Sequence, residues 1–154
     1  MLLILVNGLF AMAEIAIVSA RKTRLQQQAQ EGNKKALVAL ELANAPNQFL
    51  ATIQIGITLV GIVAGAFGGA TIAEKLADAL QQVPLLAPYG DAIGVAVVVL
   101  AITYLTLVIG ELVPKRLGLN NAEHVAARLA PVMRTLSRLA SPAVRFLGLS
   151  TDLV

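Results

Sequence analysis

Charged residues are absent from Gln48 to Ala73 and from Val95 to Ile109, and Leu2 to Ala20 carries a single one, Glu14. A helix crossing a bilayer core needs about 20 apolar residues in a row. These runs therefore predict three spanning helices, at about Leu2–Ala20, Phe49–Thr71 and Asp91–Val113. The first is not read as a signal peptide. It has no basic leading segment, its apolar run exceeds the usual ~7–15 residues, and Glu14 lies in its second half. Between the first two spans, Thr23–Ala45 is rich in Gln, Ala, Leu, Lys and Glu, which predicts one or two helices interrupted at Gly32-Asn33 and stopped by Pro46. Beyond the second span, Thr71–Gln82 is expected to continue as a short helix, with Pro84, Pro88 and Gly90 marking a loop.

The segment from about Ala122 to Leu149 has a different pattern. On a helical wheel Arg134, Arg138 and Arg145 fall within about 40° of one another, with Ser137 and Ser141 beside them. Leu129, Val132, Leu136, Leu139, Ala140 and Leu147 occupy the opposite side. Aligned arginines suit a belt-like amphipathic juxtamembrane helix lying along the headgroups, bent where Pro131 and Pro142 each remove a backbone donor. A tilted fourth span, with the arginines facing a bundle interior, is the alternative.

Composition agrees with the pattern. Of 154 residues 57% are hydrophobic and 14% charged, with a mean hydropathy of +0.77. So few charges cannot cover a soluble domain of this size, and so much apolar residue is incompatible with disorder. The absence of cysteine excludes disulfides and thiolate metal sites. The fold class expected is an all-α membrane protein. Arg21, Lys22, Arg24, Lys34 and Lys35 lie between spans one and two, Lys75 alone lies between spans two and three, and the remaining six basic residues follow span three. The positive-inside rule then places the first connection and the carboxyl terminus in the cytoplasm, with the amino terminus and the 72–90 connection outside. The implied location is the cell inner (plasma) membrane, as a multi-pass protein. The basic balance reflects this orientation rather than nucleic-acid binding, because no aromatic residues interleave with the basic ones.

Ionisable residues in hydrocarbon cost about 2.5–3.5 kcal/mol even on the permissive insertion scale, which singles out Glu14 and Glu111. Asn7 lies seven residues before Glu14 on nearly the same face. Glu14 either serves a cation or is held structurally by a basic residue such as Arg21 or by a polar neighbour. Glu111 belongs to Gly110-Glu111-Leu112-Val113-Pro114-Lys115. Pro114 cannot donate to the carbonyl of Gly110 and crowds it, so the helix is expected to open there and leave a backbone oxygen beside a carboxylate. Such a hard-oxygen set suits Mg²⁺, Ca²⁺ or Na⁺. The alternative is a helix ending at the interface, with Lys115 and Arg116 as topology markers. In span two Thr52, Gln54 and Thr58 offer further oxygens, and Gly56 permits close backbone approach.

Gly61, Gly65 and Gly69 recur every four residues, a pattern for close helix packing within or between protomers. Thr103 and Thr106 are expected to bond back to their own helix. Tyr104, on the Glu111 face, is either a packed aromatic or a site neighbour, and His124 is read as inert. No nucleophile–base pair or phosphate loop is present, so no enzyme is expected.

Three motifs in order carry a resemblance. Asn7-Gly8-Leu9-Phe10-Ala11-Met12-Ala13-Glu14-Ile15-Ala16, running on to Ser19-Ala20-Arg21, resembles the opening of the bacterial CorC/HlyC branch of the CNNM (cyclin M) family. Gln54-Ile55-Gly56-Ile57-Thr58-Leu59 is similar to its second-span motif, and Gly110-Glu111-Leu112-Val113-Pro114-Lys115 to its third-span motif. The resemblance implies a homodimeric membrane domain with three spans, a cytoplasmic helical pair and a belt-like helix. It implies Mg²⁺ export coupled to inward Na⁺, through a site between the spans that opens to the cytoplasm. Glu111 would be the acidic ligand, with the backbone of Gly110 and Gly56 and the polar groups of span two near it.

Animal members of the family have Ser and Asn at the positions of Ala11 and Glu14. Glu14 then either replaces an oxygen ligand or serves Na⁺. Family members normally continue into cytoplasmic CBS domains; the chain stops at Asp152-Leu153-Val154 without them and is expected to be a fragment. A dimeric Mg²⁺-sensing regulator of other transporters is the alternative function. A membrane-lytic role is disfavoured by the sparse outer charge.

Overall fold

The computed structural model describes residues 1–82 and 87–152. Helix α1 spans Leu2–Ser19, α2 Lys22–Gln30, α3 Lys34–Asn44 and α4 Pro46–Gln81. A 3₁₀ turn at Ala87–Tyr89 leads into α5, Gly90–Leu107. A π segment, Val108–Leu112, joins α5 to α6, Val113–Asn120, and α7 runs over Ala122–Asp152. No strand occurs among the described residues, as an all-α protein requires. Three helical stretches there are long and apolar enough to cross a membrane: Leu2–Ser19, Pro46–Gln81 and the continuous Gly90–Asn120.

Local chemistry sets the boundaries. Gly32 adopts φ +93°, the left-handed region open to glycine. Asn33 then caps α3 by accepting from the backbone N–H groups of Lys35 and Ala36, which divides the linker into two helices. Pro46 occupies the first turn of α4, where its missing N–H costs nothing. As expected, helix continues beyond Thr71: α4 runs unbroken from the second span to Gln81, and Pro88 belongs to the 3₁₀ turn. Pro84 and the terminal Leu153-Val154 lie outside the described residues.

The best-buried core sits at the α2–α3 end of the bundle. Ala13, Ala16 and Ile17 of α1 meet Ala36 and Ala39 of α3, Phe49 and Ile53 of α4, and Ala126, Ala130 and Met133 of α7. The many alanines let four helices approach closely around two large side chains, Phe49 and Ile53. At the other end Gly94 packs on α4: an added Cβ would lie 3.1 Å from both the carbonyl oxygen of Ala73 and the nitrogen of Ala77. Leu59, Ile62 and Phe67 of α4 and Val99 and Leu100 of α5 remain exposed, as side chains facing lipid would be.

Helix α7 corrects the wheel. It passes through Pro131 and Pro142 as one helix. Its buried stripe is Ala126, Ala130, Met133 and Ser137, so Ser137 lies on the packed face and not with the exposed Arg138 and Arg145. Thr52 Oγ1 donates to the carbonyl of Gln48 at 2.8 Å and pairs with the hydroxyl of Ser137 at 3.3 Å. That buried hydroxyl pairing offsets the cost of putting Ser137 inside. Arg134 pairs with Glu41 of α3 at 3.2 Å.

Candidate functional site

Pro114 acts as expected on Gly110, but the helix widens instead of opening. Between Val108 and Leu112 the backbone takes the five-residue step of a π turn, and the N–H of Val113 reaches the carbonyl of Val108. Pro114 then begins the first turn of α6, a position that needs no N–H donor. The carbonyl of Gly110 is not left free: Asn7 Nδ2 donates to it at 3.2 Å across the α1 interface. Asn7 is only 5% exposed, and its other polar atom, Oδ1, is buried without a hydrogen-bond partner.

A glycine seam allows this approach. An added Cβ would lie 2.9 Å from Pro114 Cγ at Gly8, and 2.6 Å from Ile15 Cγ2 at Gly118. At Gly110 it would stand 3.3 Å from both Asn7 Nδ2 and the carbonyl oxygen of Ile4. Gly8 and Gly118 did not stand out in the sequence, since neither belongs to a repeat within one helix; they face each other's helices across the fold.

The same packing brings both intramembrane carboxylates to one cation. Lys115 Nζ lies 2.8 Å from Glu111 Oε1 and 3.7 Å from Glu14 Oε2. The side chains of Glu14, Glu111 and Lys115 are 28%, 40% and 33% exposed, so the cluster reaches the protein surface and is not sealed. Lys115 is therefore more than a topology marker, and it, not Arg21, holds Glu14. Arg21 instead pairs with Glu123 at 3.4 Å, tying the end of α1 to the start of α7. The Glu123 carboxyl is held below its ordinary range, chiefly by its own backbone N–H, with the backbone N–H and guanidinium of Arg21 adding to the effect.

The other expected site residues go elsewhere. Helix α4 makes no backbone contact with the π segment or α6 among the described residues. Gly56 admits the ring of Phe10, whose Cζ would stand 2.9 Å from an added Cβ. Gln54 and Thr58 line a shallow apolar surface with Ile62 and Leu147. Tyr104 is 66% exposed. A π turn carries an extra residue, so faces before and after it are offset by about a quarter turn from a straight wheel, which moves Tyr104 off the Glu111 face. Thr103 and Thr106 make no side-chain hydrogen bond among the described residues; they line a groove of about 300 Å³ with Gly61, Gly65 and Gly69. Those glycines have open space where a Cβ would stand. His124 is exposed beside Lys35 and Arg128.

The result is a pair of carboxylates on one ammonium beside a locally widened third span, with the Asn7 amide held on the Gly110 carbonyl of that widening. No cluster of three or more His, Cys, Asp or Glu side chains occurs among the described residues, so any metal here would keep part of its water shell, as Mg²⁺ commonly does.

Comparison with known proteins agrees with this architecture. The chain is 55% identical over 152 residues to a UPF0053 protein of Synechocystis, covering 99% of the chain and 34% of that relative. It is 32% identical over 152 residues to the UPF0053 protein YhdT of Bacillus subtilis, covering 99% of the chain and 33% of the relative. It is 30% identical over 147 residues to a protein of Haemophilus influenzae named polyamine export protein, covering 94% and 33% respectively. The chain thus spans about a third of the length of these relatives. The model of the cyclin M transmembrane N-terminal domain matches residues 1–154, and the chain belongs to that family, CNNM.

Proposed function

We propose that the chain is the membrane domain of a divalent-cation exporter, most specifically one that moves Mg²⁺ out of the cytoplasm against inward Na⁺. The observation that carries the reading is the meeting of Glu14 and Glu111 at one ammonium beside the widened third span, where α1 also lends the Asn7 amide to the Gly110 carbonyl. Acidic side chains in a membrane helix need a cation or a tethered base to compensate them, and irregular backbone at that depth belongs beside a cavity or an ion path. Carboxylate and amide oxygens are hard donors that favour Mg²⁺ over softer metals. Gly110, already bonded by Asn7, serves to position that amide. The basic residues around α2, α3 and α6 put the carboxylate cluster at the cytoplasmic side by the positive-inside rule. A second copy of the chain seated on the Gly61–Gly65–Gly69 groove makes the functional unit a homodimer.

The test is Mg²⁺ efflux from loaded proteoliposomes. Wild type should release Mg²⁺ when Na⁺ is present on the opposite side and stall when a larger cation replaces it. Glu111→Gln should abolish the flux; undiminished flux removes Glu111 from the mechanism.

One observation favours a second cargo. The two carboxylates already hold an ammonium group, that of Lys115, and a relative carries the name polyamine export protein. A polyamine presents such ammonium groups in series. Release of spermidine rather than Mg²⁺ from the same vesicles, with the same dependence on Glu111, would select it.

A further inference from the structure

Lys115 is the only basic side chain within salt-bridge distance of Glu14 or Glu111 among the described residues. The adjacent Arg116 pairs with no carboxylate there. Lys115 follows the π segment by three residues, at the start of α6, and its four-carbon stem lets the ammonium move several ångströms without moving the helix. It is neither sealed in nor free: the head is a third exposed, with one oxygen at 2.8 Å and another at 3.7 Å.

A transported cation needs the oxygens that this ammonium holds. Two carboxylates and a divalent cation neutralise one another; with the ammonium retained beside them, a net positive charge is left and the two cations repel. With the cation gone and the ammonium also gone, two carboxylates a few ångströms apart repel in their turn. With the ammonium alone the group carries one net negative charge and with the divalent cation alone it is neutral, so exchanging one cation for the other avoids both the doubly negative and the net positive state. We propose that Lys115 is a tethered counter-cation, holding the Glu14 and Glu111 oxygens between transport events and displaced toward solvent when the cargo takes them. This rests on the reading that those oxygens receive the cargo. It adds a competitor built into the chain, which sets affinity and keeps the unloaded carboxylates from facing each other without a cation.

The displacement is readable as chemical reactivity, because a lysine side chain turned out to solvent meets the acylating reagent, as its neutral amine, more readily than one held against two carboxylates. The unmodified chain, in nanodiscs, would be treated briefly with acetic anhydride over a series of MgCl₂ concentrations, with choline chloride holding the ionic strength. Peptide mass spectrometry would then follow acetylation of Lys115 against the exposed Lys22, Lys34 and Lys35. Acetylation of Lys115 should rise with Mg²⁺ while the controls stay flat. In parallel, Lys115→Gln should tighten Mg²⁺ binding by about tenfold or more, because a competing charge has been removed; a merely structural salt bridge predicts weaker binding.

Mg²⁺ binding that depends on Glu111 combined with Mg²⁺-independent acetylation of Lys115 overturns the counter-cation and leaves the cargo site standing. Mg²⁺ binding that is absent, or indifferent to Glu111→Gln, overturns both. The acetylation arm uses the native side chains, so it decides the matter even if Lys115→Gln fails to fold.

Discussion

The side-chain amide of Asn7 on α1 donates, at 3.2 Å, to the backbone carbonyl of Gly110, the oxygen for which Pro114 has no N–H. The donor that Pro114 lacks is supplied by a residue 103 positions before Gly110, and the bond fixes α1 against the widened turn that presents Glu111. Asn7→Leu keeps the volume but leaves that carbonyl buried and unsatisfied. A loss of about 1–3 kcal/mol is expected. Thermal unfolding in detergent should show a lower midpoint for the variant, and an unchanged midpoint would mean that the bond does not hold the two helices.

The glycine seam gives a paired prediction. At Gly118 an added methyl would meet the carbonyl oxygen of Met12 at 2.9 Å as well as Ile15, and backbone cannot yield as a side chain can. Gly118→Ala should therefore cost about 1–3 kcal/mol through overpacking. At Gly65 nothing lies within 4 Å of the new Cβ, and alanine is the better helix former by up to about 1 kcal/mol. Gly65→Ala should leave the midpoint of the isolated protomer unchanged or raise it. The same mutation in two helices thus has opposite signs, decided by what each glycine faces.

That contrast shows what the sequence does and does not disclose. The three spans are legible because apolar length is a local property, and the break at Gly32-Asn33 is legible because a left-handed glycine before a capping asparagine is local too. Pro114 likewise marks Gly110 directly, since the lost hydrogen bond spans only four residues. The partner that satisfies Gly110 is not local. Nothing in the spacing says that Asn7 crosses to it, or that Lys115 turns back onto Glu111 and across to Glu14. Tyr104 and Ser137 were misplaced for a related reason. A wheel at constant pitch cannot anticipate the extra residue of a π turn, nor know which face of α7 its neighbours cover. Span-two residues shared a motif with the site but not a surface, because α4 packs on α1 through Phe10 and Gly56, away from the third span's wide turn.

The proposed homodimer would meet through the open glycine face of α4. Gly61, Gly65 and Gly69 with Thr103 and Thr106 of α5 form a groove with a strip of small residues along one wall, shaped for a helix from a second copy. Gly65→Leu would fill that groove without disturbing a contact inside the protomer. It should shift the chain from dimer toward monomer in native mass spectrometry from detergent, while Leu59→Ala, on the lipid-facing surface, should not. A dimer fraction equal to wild type in Gly65→Leu would move the interface elsewhere.

The Arg21–Glu123 pair predicts a pH dependence separate from any transport. Glu123 sits in the first turn of α7, where backbone N–H groups and the helix dipole favour a negative charge, and its folded carboxyl titrates below its ordinary value of 4.5. A depressed carboxyl stabilises the fold fully above its unfolded pKa, and that contribution disappears as the pH falls through the folded value. The difference in unfolding midpoint between wild type and Glu123→Gln should therefore be constant through neutral pH and shrink as the medium is acidified below about 4.5. Raising the salt concentration should reduce it at neutral pH as well, since the Arg21 side chain is 70% exposed and its share of the attraction is screened. The part due to the backbone N–H should survive the salt. A difference that grows on acidification would mean that the carboxyl is protonated more readily in the folded chain than in the unfolded one, the reverse of what the cap at the start of α7 requires.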